Sequence, residues 1–73
     1  MLIDGQEHRT YYRICKRGRF FAIYKMYARI SDGAEHGEST GLEFFEYNEA
    51  KEALKKLKTG LYIIHAGELF KQN

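Results

Sequence analysis

Cys15, the histidines His8, His36 and His65, and the carboxylate pairs Glu35/Glu38 and Glu43/Glu46 are the residues whose types could carry covalent or acid–base chemistry. A thiolate beside an imidazole makes a nucleophile, and two rigidly held carboxylates make a general acid and base. The spacings support neither. No local signature surrounds Cys15, which reads as an inert small residue near a hairpin end. Glu43 and Glu46 are three apart in a segment that reads as a strand, so they face opposite sides. Glu35 and Glu38 fall in a stretch that reads as a loop, together with His36, and a loop lacks the rigid geometry such work needs. His65 reads as a strand-end residue. One cysteine and three scattered histidines match no zinc spacing, so no metal and no cofactor is expected. The glycine segments G-R-F-F and G-A-E-H-G lack the lysine and the strand–loop–helix setting of a phosphate loop. A chain this short also has little room for a ligand-sized pocket. It is expected not to be an enzyme and to take no small-molecule substrate.

The second chemistry is recognition. Residues 16–30, KRGRFFAIYKMYARI, interleave bulky apolar side chains with Lys and Arg. A strand that only filled a core would not carry so many cations, nor a solvated one so many rings. Net charge is +2, but it is unevenly placed: residues 1–30 carry +5, residues 31–46 carry −5 and residues 47–73 carry +2. Such blocks mark an interaction surface, or an acidic loop that neutralises a basic hairpin within one fold.

The scaffold holding these residues is one domain, 1–73. A chain of 73 residues buries only about 60% of its unfolded surface. Ordering it costs roughly 1.5 kcal/mol per residue, so one core must do nearly all the stabilising. A lone Cys15 makes no intrachain disulfide. Six Tyr and five Phe supply either a well-packed core or an oligomer interface. The start MLIDGQEH lacks the basic region and apolar run of an export signal, and no stretch is long and apolar enough to span a bilayer. A free thiol without an export signal points to the cytoplasm and to no membrane partner.

Even positions Phe20, Ala22, Tyr24, Met26, Ala28 and Ile30 form an unbroken apolar set, which predicts a long half-buried strand with that face in the core. Residues 9–15 supply its upstream partner. A three-residue loop of Lys16, Arg17 and Gly18 would pair Cys15 with Arg19, Ile14 with Phe20 and Tyr12 with Ala22. A two-residue loop of Arg17 and Gly18 would instead put Arg13 in the core, where arginine is almost never found unpaired. Residues 31–41 read as an exposed acidic loop, residues 1–8 as a flexible N-terminus, and residues 41–47 as a third strand. Asn48 then N-caps a helix whose apolar positions Ala50, Ala53, Leu54 and Leu57 recur at i, i+3, i+4 and i+7. Lys55, Lys56 and Lys58 suit its C-terminal dipole, and Gly60 its C′ position. Residues 61–66 form a last strand, followed by a tail, 67–73. The fold class expected is α+β, ordered β-β-β-α-β: an antiparallel sheet of three to four strands with a single helix packed on one face.

One helix covers one face. In this register the other holds Arg9, Tyr11, Arg13 and Cys15, with Arg19, Phe21, Ile23, Lys25, Tyr27 and Arg29. Interleaved rings and cations are what single-stranded nucleic-acid platforms use, and a two-stranded ribbon also fits a duplex major groove. The leading expectation is a small non-catalytic binding module engaging nucleic acid through Arg9, Tyr11, Arg13, Arg19, Phe21, Ile23, Lys25, Tyr27 and Arg29. The alternative is a protein–protein interaction module, a homodimer or other homo-oligomeric regulator or inhibitor, using the same face. In a third arrangement Leu69 and Phe70 of the tail fold over that face.

Gly18, Phe20 and Ala22 in the pattern G-x-F-x-A, then Phe44 and Phe45, then Glu49 and Ala50 opening a helix, span residues 10–58 in a recognisable order. That order resembles the small modules of three-stranded sheet plus helix in mobile-element integrases and related DNA binders. The resemblance implies DNA as the partner. The acidic stretch 31–41 is longer than such a module needs, its usual Trp is absent, and a strand at 61–66 is added.

Overall fold

Gly18 sets the geometry of the sheet. In a computed structural model, which describes residues 1–72, its φ is +59°. It occupies the first central position of a two-residue Gly18-Arg19 turn, the place a type II′ hairpin reserves for glycine. The strands it joins are β2 (Gln6–Arg17) and β3 (Phe20–Arg29), preceded by a short β1 (Leu2–Ile3). Pairing runs Arg17 to Phe20, Cys15 to Ala22, Ile14 to Ile23, Tyr12 to Lys25 and Arg9 to Ala28.

This corrects the expected three-residue loop. The register differs by an odd number of residues, and side chains alternate sides along a strand, so the inward and outward sets of β3 exchange. Ile23 is fully buried at 0% exposure, while Ile30, expected in the core, is 61% exposed. The alternation in β3 could not decide this, because both of its faces are apolar. Packing against the helix decides it: a stripe of alanines needs bulky partners, and Ile23 with Ile14 supplies them where Ala22 could not.

The fourth strand, β4 (Glu35–Phe44), completes an antiparallel sheet in the order β1-β2-β3-β4. It begins six residues before the expected strand, so most of the stretch read as an acidic loop is strand. Only residues 30–34 turn, closed by bonds from Gly33 N to Arg29 O and from Arg29 N to Ala34 O, each 2.8 Å. Its polar composition suits an edge strand, where charge discourages unwanted pairing. Ser39 lies opposite Tyr24 but Glu43 opposite Ala22, so Thr40, Gly41 and Leu42 bulge past Ile23. The Thr40 hydroxyl donates to the Ile23 carbonyl at 2.6 Å and steadies the bulge. The kink aims Leu42 and Phe44 at the helix.

The helix α1 (Tyr47–Lys58) starts two residues earlier than Asn48 would allow as cap; Glu46 is the N-cap and makes no side-chain cap bond. Its end is as expected, with the Gly60 N–H bonded to the Leu57 carbonyl at 3.2 Å. After it come β5 (Tyr62–His65) and β6 (Glu68–Lys71), a separate two-stranded hairpin in place of one strand and a tail. Asn73, the last residue of that expected tail, lies outside the described residues. Residues 1–8, expected to be flexible, hold β1 and its turn, with the Met1 amino group 2.6 Å from Glu7.

The architecture is therefore α+β, in the order β-β-β-β-α-β-β. Its core is Ile23, Leu42, Ala53 and Leu57, ringed by Tyr12, Ile14, Phe44, Ile64 and Leu69. Helix and hairpin both lie on one side of the sheet. Leu69 of β6 joins the core around Ile23 on the helix side, and Phe70 turns outward at 46% exposure, so the tail does not fold over the face away from the helix as the third arrangement had it. The hairpin docks where Gly41 (φ +86°) meets Gly67: a Cβ on Gly41 would stand 3.1 Å from the Gly67 Cα. The least extent of the backbone is 19 Å, the depth of two layers and not three.

Candidate functional site

The side of the sheet away from the helix carries Arg9, Tyr11, Arg13, Cys15 and Arg17 from β2. From β3 it carries Phe20, Ala22, Tyr24, Met26 and Ala28, and from β4 Glu35, Gly37, Ser39 and Glu43, with Phe45 just beyond. Cross-strand pairing fixes these assignments, since directly opposed residues share a face. Among the described residues no helix or hairpin lies over them.

Of the expected interface residues, Arg9, Tyr11 and Arg13 are here. Phe21, Ile23, Lys25, Tyr27 and Arg29 are not; the corrected register puts them on the helix side. Ile23 is core, and Phe21 packs edge-on against Tyr47 of α1 at 5.5 Å. Tyr27 stacks on His36 at 4.9 Å, with His8 edge-on to His36 at 6.1 Å and the Lys25 ammonium 5.7 Å over Tyr27. Arg29 pairs with Asp32 at 3.0 Å. The Asp32 carboxyl is held below its ordinary range, first by the Ala34 N–H it accepts and then by Arg29. Arg19 sits in the hairpin turn, exposed.

Sequence reasoning missed Arg17, Phe20, Tyr24 and Phe45. A glycine two residues before an apolar alternation can head a type II′ turn, and that reading of Gly18 would have found the first three.

The open face has three parallel strips. On β2, Arg9, Arg13 and Arg17 are spaced four residues apart, about 13 Å per step at the rise of a strand. The ion pairs among the described residues are Met1 with Glu7, Arg29 with Asp32 and Glu52 with Lys55, so none involves these three arginines. Two of the guanidinium groups are instead near a ring: Arg9 lies 5.8 Å from the centre of Tyr11, and Arg17 5.9 Å from that of Tyr24. Arg17 also donates to the Tyr24 hydroxyl, and Arg13 is the direct cross-strand neighbour of Tyr24. On β3, Ala22 lies between the taller Phe20 and Tyr24, with Met26 and Ala28 beyond Tyr24, and all three are buried among their neighbours. Met26 lies over Gly37, where a Cβ would come within 2.6 Å of its sulfur. At the turn end, Phe20 and Phe45 pack with their rings tilted and their centres 4.7 Å apart, and Phe45 is 70% exposed.

The third strip, on β4, is acidic. The Tyr11 hydroxyl donates to Glu35 at 2.9 Å. That bond, together with desolvation and the nearby carboxylate charge, raises the Tyr11 pKa above the ordinary phenol value. Glu43 stands exposed at the other end of the strip.

The groups considered for covalent chemistry are dispersed. Cys15 is on the open face, whereas His8 and His36 are on the helix side and His65 is in β5. Glu35 and Glu38 point to opposite faces of β4. Among the described residues no three of His, Cys, Asp and Glu are grouped to hold a metal ion. Two grooves of about 410 and 530 Å³ lie beside the hairpin; the first touches Ser39 of the β4 strip, and neither is lined by the arginines of β2 or the rings of β3 on the open face. Among the described residues no helix is long and apolar enough to cross a membrane. Comparison with protein-family models, with curated proteins and with solved structures gives no match.

Proposed function

We propose that this chain is a small binding module that engages nucleic acid through the open face of its sheet, in the cytoplasm. One observation carries the reading. Among the described residues, Arg9, Arg13 and Arg17 form a row of guanidinium groups without carboxylate partners, beside the rings of Tyr11, Tyr24, Phe20 and Phe45, on the side that no other described element covers. Guanidinium groups in a line follow phosphates, and ring faces beside them take stacked bases.

The same face could serve a second copy of the chain. Charge argues against the route that the open edge of β2 offers, since β1 pairs with β2 only at Gln6 and Glu7. An antiparallel pairing of two β2 strands about Arg13 would set Arg13 against Arg13 and Arg9 against Arg17. Like charges directly opposed in a ladder are destabilising. A polyanion meets the same row favourably.

The test is anisotropy of labelled oligonucleotides titrated with the protein at several salt concentrations. Three phosphate contacts on a single strand give a slope of log K against log salt near −2, by the rule of about −0.7 per contact. The double variant R13A/R17A flattens that slope to about −0.7. Absence of binding at low salt, or an affinity indifferent to salt, would overturn the proposal.

A further inference from the structure

The three strips of the open face differ in chemistry from one edge to the other, and this gives a bound strand a direction. From it we infer that the ligand is single-stranded, with its phosphates on β2 and its bases pointing toward β4, and that the site selects bases bearing an exocyclic amino group. The inference rests on the nucleic-acid reading above and adds to it the form and the base class.

The phosphate strip has one possible place. Arg9, Arg13 and Arg17 are on β2, whereas the ionisable groups that β4 puts on this face are Glu35 and Glu43, both exposed. A phosphodiester over β4 would meet carboxylates, so the backbone lies along β2. The bases then extend across β3, where Tyr24 and the Phe20–Phe45 pair offer ring faces and where the small side chains of Ala22 and Ala28 leave space above the backbone. Two inter-strand spacings, roughly 10 Å, separate the β2 row from the β4 row. That is the order of the reach from a nucleotide's phosphate to the far edge of its base. A duplex holds its bases stacked inside and cannot lay them on rings, so a face of this kind favours an unpaired strand.

The far edge of each base therefore ends at Glu35, Ser39 or Glu43. An ionised carboxylate only accepts hydrogen bonds. Glu35 takes one from Tyr11 at Oε1 and keeps its second oxygen free for another. Cytosine presents an amino donor at the corresponding edge, and adenine does the same. Thymine and uracil present carbonyl oxygens flanking a single N–H, and an oxygen set against a carboxylate is repelled. Cytosine and thymine are the same size, so the comparison between them isolates this one group.

The experiment measures anisotropy of labelled oligodeoxycytidylate, oligodeoxyadenylate and oligothymidylate of equal length, and of a mixed duplex, at neutral pH and low salt. The expected result is cytidylate and adenylate binding roughly tenfold more tightly than thymidylate, the discrimination of one well-made base contact, with the duplex weakest. The variant E35Q/E43Q, at two exposed positions and with its folding checked by circular dichroism, should bring the three single strands to within about twofold of one another. Equal binding of cytidylate and thymidylate by the unaltered protein, tighter thymidylate binding, tighter duplex binding, or a preference that survives E35Q/E43Q would each overturn the inference and leave the nucleic-acid reading standing. Failure of every oligonucleotide to bind would remove both.

Discussion

The two faces of one four-stranded sheet are built from similar residues to opposite ends. On the helix side, Ile14 and Ile23 meet directly across the hairpin, and Leu42, Ala53 and Leu57 close over them. On the other side, Arg13 meets Tyr24 and nothing closes over them. Both faces contain rings and both contain cations. What separates them is whether a second layer is present, and that is decided by where the hairpin turns. Gly18 at the head of a two-residue turn sends Ile23 inward; in the expected register the same strand would have sent Tyr24 and Met26 there.

The comparison predicts unequal responses to substitution. The largest effect belongs to the closed face: Ile23→Ala removes the fully buried side chain at the centre of the core and should cost about 2–5 kcal/mol. That is a large share of the stability of any small domain. Arg13→Ala on the open face should stay within about 0.5 kcal/mol. Urea unfolding of the two variants side by side checks the contrast, and equal losses would break it.

Next comes the hairpin that completes the closed face. Gly41→Ala forces a left-handed backbone on alanine and crowds Gly67, with an expected cost of about 1–2 kcal/mol for the conformation alone. Amide exchange should quicken in β5 and β6 before it does in β3.

A smaller effect on stability, but a plain one on binding, is expected at Phe45. The ring is mostly exposed and leans on Phe20, so Phe45→Ala should cost no more than about 1 kcal/mol of stability. It should weaken oligonucleotide binding by roughly 1–3 kcal/mol, the worth of one stacked base. Anisotropy and thermal melting on the same sample separate the two.

The smallest effects come from pH, and they too divide by face. Tyr11, on the open face, has a raised pKa because its hydroxyl donates to Glu35. Its contribution is complete below the ordinary phenol pKa and is lost as pH rises through the raised value. Asp32, beside Arg29 of the helix-side set, has a depressed pKa. Its contribution is complete above the ordinary carboxyl pKa and is lost as pH falls through the depressed value. Tyr11→Phe should flatten the alkaline limb of a stability profile and Asp32→Asn the acid limb, each slightly, since both groups are at the surface.

These contrasts mark what a sequence of this kind reveals. The helix was legible because Ala50, Ala53 and Leu57 recur at helical spacing, and Ala50 is indeed 0% exposed. The β2–β3 hairpin was legible from alternation and from Gly18. Its facing was not, because β3 is apolar on both sides, and a slip of register that exchanges the faces leaves the pattern intact. The acidic stretch was misread for a related reason. An edge strand exposed on both sides has the composition of a loop, and only its pairing with β3 shows Glu35 to Ser39 as strand. Three of the nine candidate residues survived the slip, since Arg9, Tyr11 and Arg13 look away from the helix in the observed structure. Phe21, Ile23, Lys25, Tyr27 and Arg29 turned to the helix side and Arg19 lies in the turn, while Arg17, Phe20 and Tyr24 came onto the open face.

The central claim is that the open face is the binding face, and amide chemical shifts test it most directly. The measurement is a titration of the nitrogen-labelled protein with a cytidylate oligonucleotide at low salt. The account predicts the largest shifts in β2 and β3 and at Phe45, around Arg9, Arg13, Arg17 and Tyr24, with Ala50, Ala53 and Leu57 of the helix almost unmoved. Shifts concentrated on the helix and the β5–β6 hairpin, or no shifts at all, would contradict it.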